Sequence, residues 1–280
     1  MIVGGHVSVA GGLQNAIDRA KREEFDVLQI FVSAPQSFRT TEYTQEQIDS
    51  FVSQFKKNKF HSLYFHSIYL LNLVSDNKLL VDLSIKSLRH YLMMGSKLGA
   101  VGTIVHLGSY KNGSFDGIKQ QLVDVIALVL KDTPSDQFLI IENVAGGGGK
   151  IPSSLNEMEF IWKNTDQNRV RFCLDTQHLY ASGIDVSDYV VYEDYLHQFD
   201  TRIGIENLVC IHTNDSKSEL GSFHDRHENI GEGKIGERGF KNILSQRLIE
   251  NIPLIMEVPG VDKKGPDKEN KEKLFFLRSS

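Results

Sequence analysis

The sequence predicts a single α/β domain folded as a (β/α)8 TIM barrel. Eight short apolar runs alternate with longer helical patterns along the 280 residues, which is typical of βα units around a parallel sheet. The length suits one closed barrel, whose usual size is about 250 residues. An open doubly wound sheet usually has fewer strands, and no GxGxxG motif follows the first apolar run.

The eight apolar runs are the predicted strands. In chain order they are IVGGHVSV (2–9), DVLQIFV (26–32), SLYFH (62–66), GTIVHLG (102–108), FLIIEN (138–143), VRFCLDT (170–176), NLVCIHTND (207–215) and PLIMEV (253–258). Between them lie segments with helical signals, and the clearest are residues 12–24, 44–57, 78–99, 116–131 and 153–164. A charged loop and a short terminal helix are expected in residues 262–280. Because no linker, solenoid repeat or low-complexity tract interrupts this pattern, we expect one domain over residues 1–280.

The composition is that of an ordinary soluble protein. Hydrophobic residues make up 40% and charged residues 24% of the chain, which allows a substantial core. No stretch approaches the roughly 20 apolar residues of a membrane span, and the N-terminus lacks the pattern of a signal peptide. Cys173 and Cys210 lie in apolar runs, so we expect buried free thiols and no disulfide. These features favour a cytoplasmic protein that does not associate with membranes.

The net charge of −5 argues against a protein held to nucleic acid by overall positive charge. A local basic face remains compatible with this count. Bound divalent metals would also reverse the sign of the potential around a carboxylate cluster. The net charge is therefore compatible with a nucleic acid that binds at a local site.

Histidines and carboxylates gather at the carboxyl ends of the predicted strands, the end of a (β/α)8 barrel that carries the active site. Six occur at or near strand ends and three follow in adjoining loops: His66, His106, Glu142, Asp175, His212 and Glu257, then His178, Asp225 and His227. A single residue of this kind is more often a satisfied core or surface residue. A set at matching positions would meet at the barrel mouth, where carboxylates repel unless cations or protons separate them.

Metal ions are the simplest way to hold such a set together. Histidine nitrogens and carboxylate oxygens without thiolates suit Zn²⁺, and also Mn²⁺ or Fe²⁺. At three or four protein ligands per catalytic zinc, this set would hold about two or three ions. A centre with several metals is typical of phosphoester hydrolysis, because the ions stabilise both the phosphoryl oxygens and the leaving oxygen.

Longer strings carry a resemblance to a known family. They are HSIYLLNL (66–73), IENVAGGGGK (141–150), CLDTQHLYASGID (173–185), HTNDSKSELGSFHDRHENIGEGKIG (212–236) and PLIMEVPG (253–260). These strings closely resemble endonuclease IV, a family of metal-dependent enzymes that cut DNA at abasic sites. The resemblance runs from GGHVSVAGG (4–12) to the C-terminus, and DRHENIGEGKIG (225–236) is its most specific part.

The resemblance implies a site with three zinc ions. By matching positions, the first ion is held by His66, His106 and Glu142, the second by Glu142, Asp175, His212 and Glu257, and the third by His178, Asp225 and His227. The implied reaction is hydrolysis of the phosphodiester 5′ to an abasic site in double-stranded DNA, which leaves a 3′-hydroxyl and a 5′-deoxyribose phosphate. Removal of blocking groups from 3′ ends is implied as well. Glu142 is expected to help orient or deprotonate the attacking water.

The same resemblance gives candidate DNA contacts. Tyr69 matches a tyrosine that inserts into the duplex, where extrusion of a nucleotide costs less if its base is already missing. Gln36 stands where many relatives carry an arginine, so we expect weaker DNA affinity. Lys217, Arg226 and Lys234 flank the metal-binding loop and are candidate phosphate contacts.

Two other functions fit parts of this pattern. A sugar isomerase or epimerase on the same kind of barrel also gathers Glu, Asp and His around divalent metal. With one or two metals, however, it leaves His178, Asp225 and His227 unexplained. A non-catalytic DNA-damage binding protein would keep the fold and lose ligands, and none is lost. We expect a monomer, because a barrel mouth that clamps bent DNA needs no second subunit.

Overall fold

Eight parallel strands close into a barrel that helices surround. The computed structural model describes residues 1–111 and 113–280. Its strands are β1 (Val3–His6), β2 (Val27–Ile30), β3 (Ser62–His66), β4 (Gly102–Val105), β5 (Phe138–Glu142), β6 (Val170–Asp175), β7 (Leu208–His212), β8 (Asp215–Ser216), β9 (His227–Glu228) and β10 (Leu254–Met256). All except β8 and β9 belong to the barrel, which closes where β10 pairs with both β7 and β1. The (β/α)8 fold is therefore confirmed, and each apolar run contains one barrel strand.

The helices follow the strands along the chain. They are α1 (Gln14–Arg22), α2 (Gln45–Lys57), α3 (Lys78–Leu98), α4 (Phe115–Leu130), α5 (Leu155–Asn164), α6 (Thr176–Ser182), α7 (Tyr189–Arg202), α8 (Gly236–Leu244) and α9 (Lys268–Ser279). Local signals set their ends: Thr44 and Gln47 form a capping box at the start of α2, and Gly99 ends α3 with a φ of 73°. Among the described residues, no helix is both long enough and apolar enough to cross a membrane.

Two successive layers of side chains lie in the barrel interior. The lower one, which we call the apolar layer, consists of Val27, Tyr64, Ile104, Ile140, Cys173, Cys210 and Ile255. Because side chains alternate between the two faces of a strand, the residue two positions later points into the same interior. Those later residues form the polar layer and are Gln29, His66, His106, Glu142, Asp175, His212 and Glu257. The strand period thus places a polar ring at the carboxyl end of the barrel, directly above an apolar floor.

The apolar layer also accounts for the cysteines. Cys173 and Cys210 are buried free thiols, as expected. They are neighbours in register on β6 and β7. Their role in the fold is to fill space beneath the polar layer, while the larger core lies between the barrel and its helices.

A hairpin that the apolar runs do not indicate follows β7. β8 pairs with β9 in antiparallel fashion, with Asp215 opposite Glu228. The buried carboxylate of Asp215 accepts hydrogen bonds, at 2.7–3.4 Å, from the backbone N–H groups of Ser216, Gly231, Gly233, Ile235 and Gly236. One side chain therefore ties the base of the hairpin to the loop that leads into α8.

Candidate metal centre

Glu142, at the end of β5, lies at the centre of the polar layer and is completely buried. Its Oε2 is 2.7 Å from Nε2 of His106 and 3.3 Å from Nε2 of His66. Its Oε1 is 2.8 Å from Nδ1 of His212 and 3.3 Å from Nδ1 of His178. Each oxygen thus faces a different pair of imidazoles, which is the arrangement a carboxylate needs to bridge two metal ions.

In the part of the chain that the structure describes, potential ligand atoms form three groups, and within each group they lie within 4.8 Å of one another. The groups are His66 with His106 and Glu142; Glu142 with Asp175, His212 and Glu257; and Asp175 with His178 and His227. Glu142 therefore belongs to the first two groups, and Asp175 to the last two. The first two groups coincide with the ligand sets that the resemblance implies for the first and second ions.

The third group differs from the implied set in one residue. The implied set has Asp225, whereas the group in the structure has Asp175. Asp225 nevertheless lies beside both imidazoles, with Oδ2 3.3 Å from Nε2 of His178 and Oδ1 3.4 Å from Nε2 of His227. The hairpin of β8 and β9 therefore brings Asp225 and His227 back over the barrel mouth.

Two asparagines hold the ligands from behind. The Asn143 side chain accepts a hydrogen bond from the backbone N–H of Asp175 at 2.7 Å, and the backbone carbonyl oxygen of Asn143 lies 2.9 Å from Nδ1 of His178. Asn214 donates to Oδ2 of Asp175 at 2.7 Å and accepts from the backbone N–H of Glu257 at 2.7 Å. Partners of this kind fix the orientation of metal ligands.

Burial and neighbouring charges shift the pKa values of this cluster in opposite directions. Burial raises the pKa of Glu142, but the imidazoles of His212 and His106 hold it well below its usual range. Burial lowers the pKa of His178, yet the carboxylates of Asp175 and Asp225 raise it well above the usual value. The carboxylates of the polar layer thus need positive charge close to their oxygens.

The donors present fit divalent metal ions. Imidazole nitrogens and carboxylate oxygens in groups of three and four suit Zn²⁺, Mn²⁺ or Fe²⁺. Within residues 1–111 and 113–280, the buried Nε2 of His227 has no hydrogen-bond partner. It lies 3.4 Å from Oδ1 of Asp225 and 3.7 Å from Oδ2 of Asp175. A buried polar atom without a partner is uncommon, and a cation shared with these carboxylates would satisfy it.

An exposed rim carries two of the candidate DNA contacts. Tyr69 is 62% exposed, and its ring centroid lies 5.8 Å from that of His66. Gln36 is exposed in the loop after β2. The backbone N–H of Tyr69 donates to the carbonyl of Pro35 at 3.1 Å. The two loops are therefore joined, and Gln36 and Tyr69 belong to one edge of the barrel mouth.

The three candidate basic contacts, Lys217, Arg226 and Lys234, are exposed. Two of them lie beside carboxylates: Lys217 Nζ is 3.6 Å from Glu228, and Lys234 Nζ is 2.5 Å from Glu219. Exposed ion pairs of this kind contribute little to stability. These lysines could therefore exchange a carboxylate for a phosphate at small cost.

Sequence reasoning missed the residues that support the ligands, namely Gln29, Asn143 and Asn214. For Gln29 a signal exists, because it lies two positions after Val27. The same spacing separates each strand-end ligand from its apolar-layer residue. For the asparagines the signal is weaker: Asn143 directly follows a strand-end ligand, whereas Asn214 lies two residues beyond one.

The chain is similar to known proteins along most of its length. The family described as xylose isomerase-like TIM barrel matches residues 17–280. A probable endonuclease 4 of Halothermothrix orenii is 36% identical over 270 residues, which cover 96% of this chain and 97% of the relative. A probable endonuclease 4 of Haloarcula marismortui is 32% identical over 257 residues, or 92% of each chain.

Solved structures show the same likeness. The crystal structure of endonuclease IV from Thermus thermophilus matches with a TM-score of 0.86 and 28% identity, over 100% of this chain and 98% of the other. A D-tagatose 3-epimerase-like protein matches with a TM-score of 0.72 and 16% identity, over 100% and 97% of the two chains. The second likeness shows a shared fold alone.

Proposed function

The chain belongs to the endonuclease IV family of xylose isomerase-like TIM barrels, and from this membership we propose that it cuts double-stranded DNA at abasic sites with three bound Zn²⁺ ions. The bond hydrolysed is the phosphodiester 5′ to the abasic sugar, which leaves a 3′-hydroxyl and a 5′-deoxyribose phosphate. The same centre would remove blocking groups from 3′ ends. The observation that carries the proposal is the chain of three ligand groups joined by Glu142 and Asp175.

Each ion would have its own ligands from this chain. His66, His106 and Glu142 would hold the first, Glu142, Asp175, His212 and Glu257 the second, and His178, His227 and Asp225 the third. Asp175 also belongs to the group of His178 and His227. When bound, divalent ions would polarise the phosphodiester and a water, and stabilise the leaving oxygen. Mn²⁺ or Fe²⁺ could replace Zn²⁺ at such sites.

The protein's own contribution is positioning. Four imidazoles contact Glu142, two at each carboxylate oxygen, so its oxygens are fixed before substrate arrives. We assign it the further role of orienting the attacking water. The apolar layer closes the barrel beneath the centre, so the phosphodiester and the water approach from the mouth.

The rim supports binding of damaged duplex. Tyr69 presents an exposed ring beside the first ligand group, where it would fill the gap left by an extruded abasic nucleotide. Gln36 lies on the same edge and would contact the duplex without adding charge. Lys217, Arg226 and Lys234 would contact phosphates. One barrel mouth offers all of these groups, so we propose that the enzyme acts as a monomer.

The test is cleavage of a labelled duplex that contains one tetrahydrofuran abasic analogue, which cannot undergo β-elimination. Metal content is measured on the same preparation. Incision on the 5′ side, lost when about three equivalents of zinc are removed and regained when zinc returns, is the expected result. Fully metallated protein that leaves the duplex intact but epimerises or isomerises a sugar would overturn the proposal.

A single substitution tests the role of Glu142. Glu142→Gln keeps the shape of the side chain but replaces one oxygen that faces imidazoles by an NH₂ group. We expect incision to fall by about 10²–10³-fold, the usual cost of losing one preorganised electrostatic group. Incision by this variant within a few fold of the wild type, at equal zinc content, would disprove the bridging role.

A further inference from the structure

Gln29 is a buried amide in a strand that is otherwise apolar. It lies in β2 (sequence VLQI), is 0% exposed, and is the register neighbour of His6 on β1. It occupies the polar-layer position of its strand, as His66 does on β3. A side-chain amide in such a place has a large desolvation cost unless its oxygen and nitrogen both find partners.

Both ends of the amide reach the metal centre. Oε1 of Gln29 lies 2.7 Å from Nε2 of His212. Nε2 of Gln29 lies 2.5 Å from Oε1 of Glu257 and 2.9 Å from Nδ1 of His6. His212 and Glu257 belong to the same ligand group. The Gln29 side chain therefore contacts two candidate ligands of one group.

The contacts of Gln29 indicate which nitrogen of His212 donates to the amide. His212 turns Nδ1 toward carboxylates, 2.8 Å from Glu142 and 3.5 Å from Oε2 of Glu257. Nε2 of His212 therefore donates to the Gln29 oxygen, which leaves the Nδ1 lone pair for a cation. The Gln29 NH₂ group, in turn, donates to Oε1 of Glu257 and leaves Oε2 directed at the same place.

We propose that Gln29 is a positioning residue that holds His212 and Glu257 in the orientation needed to bind the second metal ion. This inference rests on the metal centre of the proposed function. It goes beyond the ligands themselves, because the amide atoms of Gln29 are directed at the side chains of His6, His212 and Glu257. Removal of such an outer partner typically weakens metal binding by about 10–100-fold while the ligands remain.

Gln29→Met tests the inference, since methionine is close to glutamine in volume and offers neither a carbonyl oxygen nor an NH₂ group. The zinc-loaded protein is mixed with excess chromogenic chelator, and the release of each zinc equivalent is followed over time. We expect one equivalent to leave about 10–100-fold faster than in the wild type, with the other equivalents unchanged. Cobalt-substituted protein provides a second readout, a changed visible spectrum at one site.

Gln137→Met is the matched control. Gln137 is also a buried glutamine, 1% exposed, but it lies before β5 at the opposite end of the barrel and donates to the carbonyl of Ala100. If Gln29→Met does not fold, Gln29→Glu serves instead, because it keeps an acceptor for His212 and places a carboxylate against Glu257. It too should release one equivalent faster.

Different results would contradict the positioning role of Gln29 and the proposed function. Zinc release from the Gln29 variants at the wild-type rate, or an equal acceleration in Gln137→Met, would overturn the positioning role while the metal centre stands. Wild-type protein that binds no zinc would overturn the proposed function, and this inference with it.

Discussion

The substitution Asp215→Asn should loosen the attachment between the hairpin of β8 and β9, which carries Asp225 and His227, and the loop that leads into α8. One carboxylate oxygen becomes an NH₂ group, which cannot accept a hydrogen bond. Oδ2 accepts from the N–H groups of Gly231, Gly233 and Gly236 at 2.9, 3.0 and 3.2 Å, and Oδ1 from those of Ser216 and Ile235 at 2.7 and 3.0 Å. Whichever oxygen is replaced, at least two backbone donors lose their acceptor.

The magnitude follows from the number of donors that are lost. A buried donor without a partner costs about 1–3 kcal/mol, so two such donors lower the free energy of unfolding by roughly 2–6 kcal/mol. That is a large part of the about 5–15 kcal/mol by which a typical protein is stable. Because the hairpin of β8 and β9 carries Asp225 and His227, we also expect the third zinc equivalent to bind more weakly.

The assay is urea unfolding of zinc-loaded protein, combined with zinc content and incision of the tetrahydrofuran duplex. Asp188→Asn is the matched control, since Asp188 accepts from the N–H groups of Val190 and Val191 at the start of α7. Asparagine caps helices about as well as aspartate, so its unfolding midpoint should hardly move. If Asp215→Asn behaves like this control in all three measurements, the carboxylate does not hold the loop and the reasoning is wrong.

Three further predictions concern DNA and metal. Gln36→Arg should tighten binding to abasic duplex and steepen the dependence of log K on log salt by about 0.9, with Gln36→Met as the uncharged control; an unchanged slope would contradict a contact with phosphate. Tyr69→Ala should weaken binding to abasic duplex by about 1–3 kcal/mol, whereas Tyr69→Phe should retain most of it; equal losses would mean that the hydroxyl, and not the ring, makes the contact. Return of zinc to stripped protein, at a free concentration 100-fold above its Kd, should stabilise the fold by about 2.7 kcal/mol for each ion, measured as a rise in Tm; an equal rise with Mg²⁺ would argue against the imidazole ligands.

The fold could be predicted because its signal is repeated in every strand. Each barrel strand is a short apolar run, and in most of them the residue that ends the run is a histidine or a carboxylate, as in FLIIE and SLYFH. The period of two along a strand then brings these residues to one end of the barrel. The gathering of these side chains at the barrel mouth could therefore be anticipated without coordinates.

Other features depend on distances that the chain order does not contain. The hairpin strands have only two residues each, too short for any period to appear. In the sequence, Gln29 only interrupts an apolar strand. In the closed barrel, its side chain lies between His6 and Glu257. That Asp175 approaches both the second and the third ligand groups follows from the fold of the hairpin over the mouth, which no local pattern encodes.

The apolar layer determines how molecules reach and leave the metal centre. Tyr64, Ile104, Cys173 and their neighbours in that layer are at most 3% exposed, so they seal the lower end of the barrel. Metal ions, water, DNA and cleaved product must then all enter or leave through the barrel mouth. A duplex bound at the mouth would block this opening and shield the ions from chelators in solution until the product leaves.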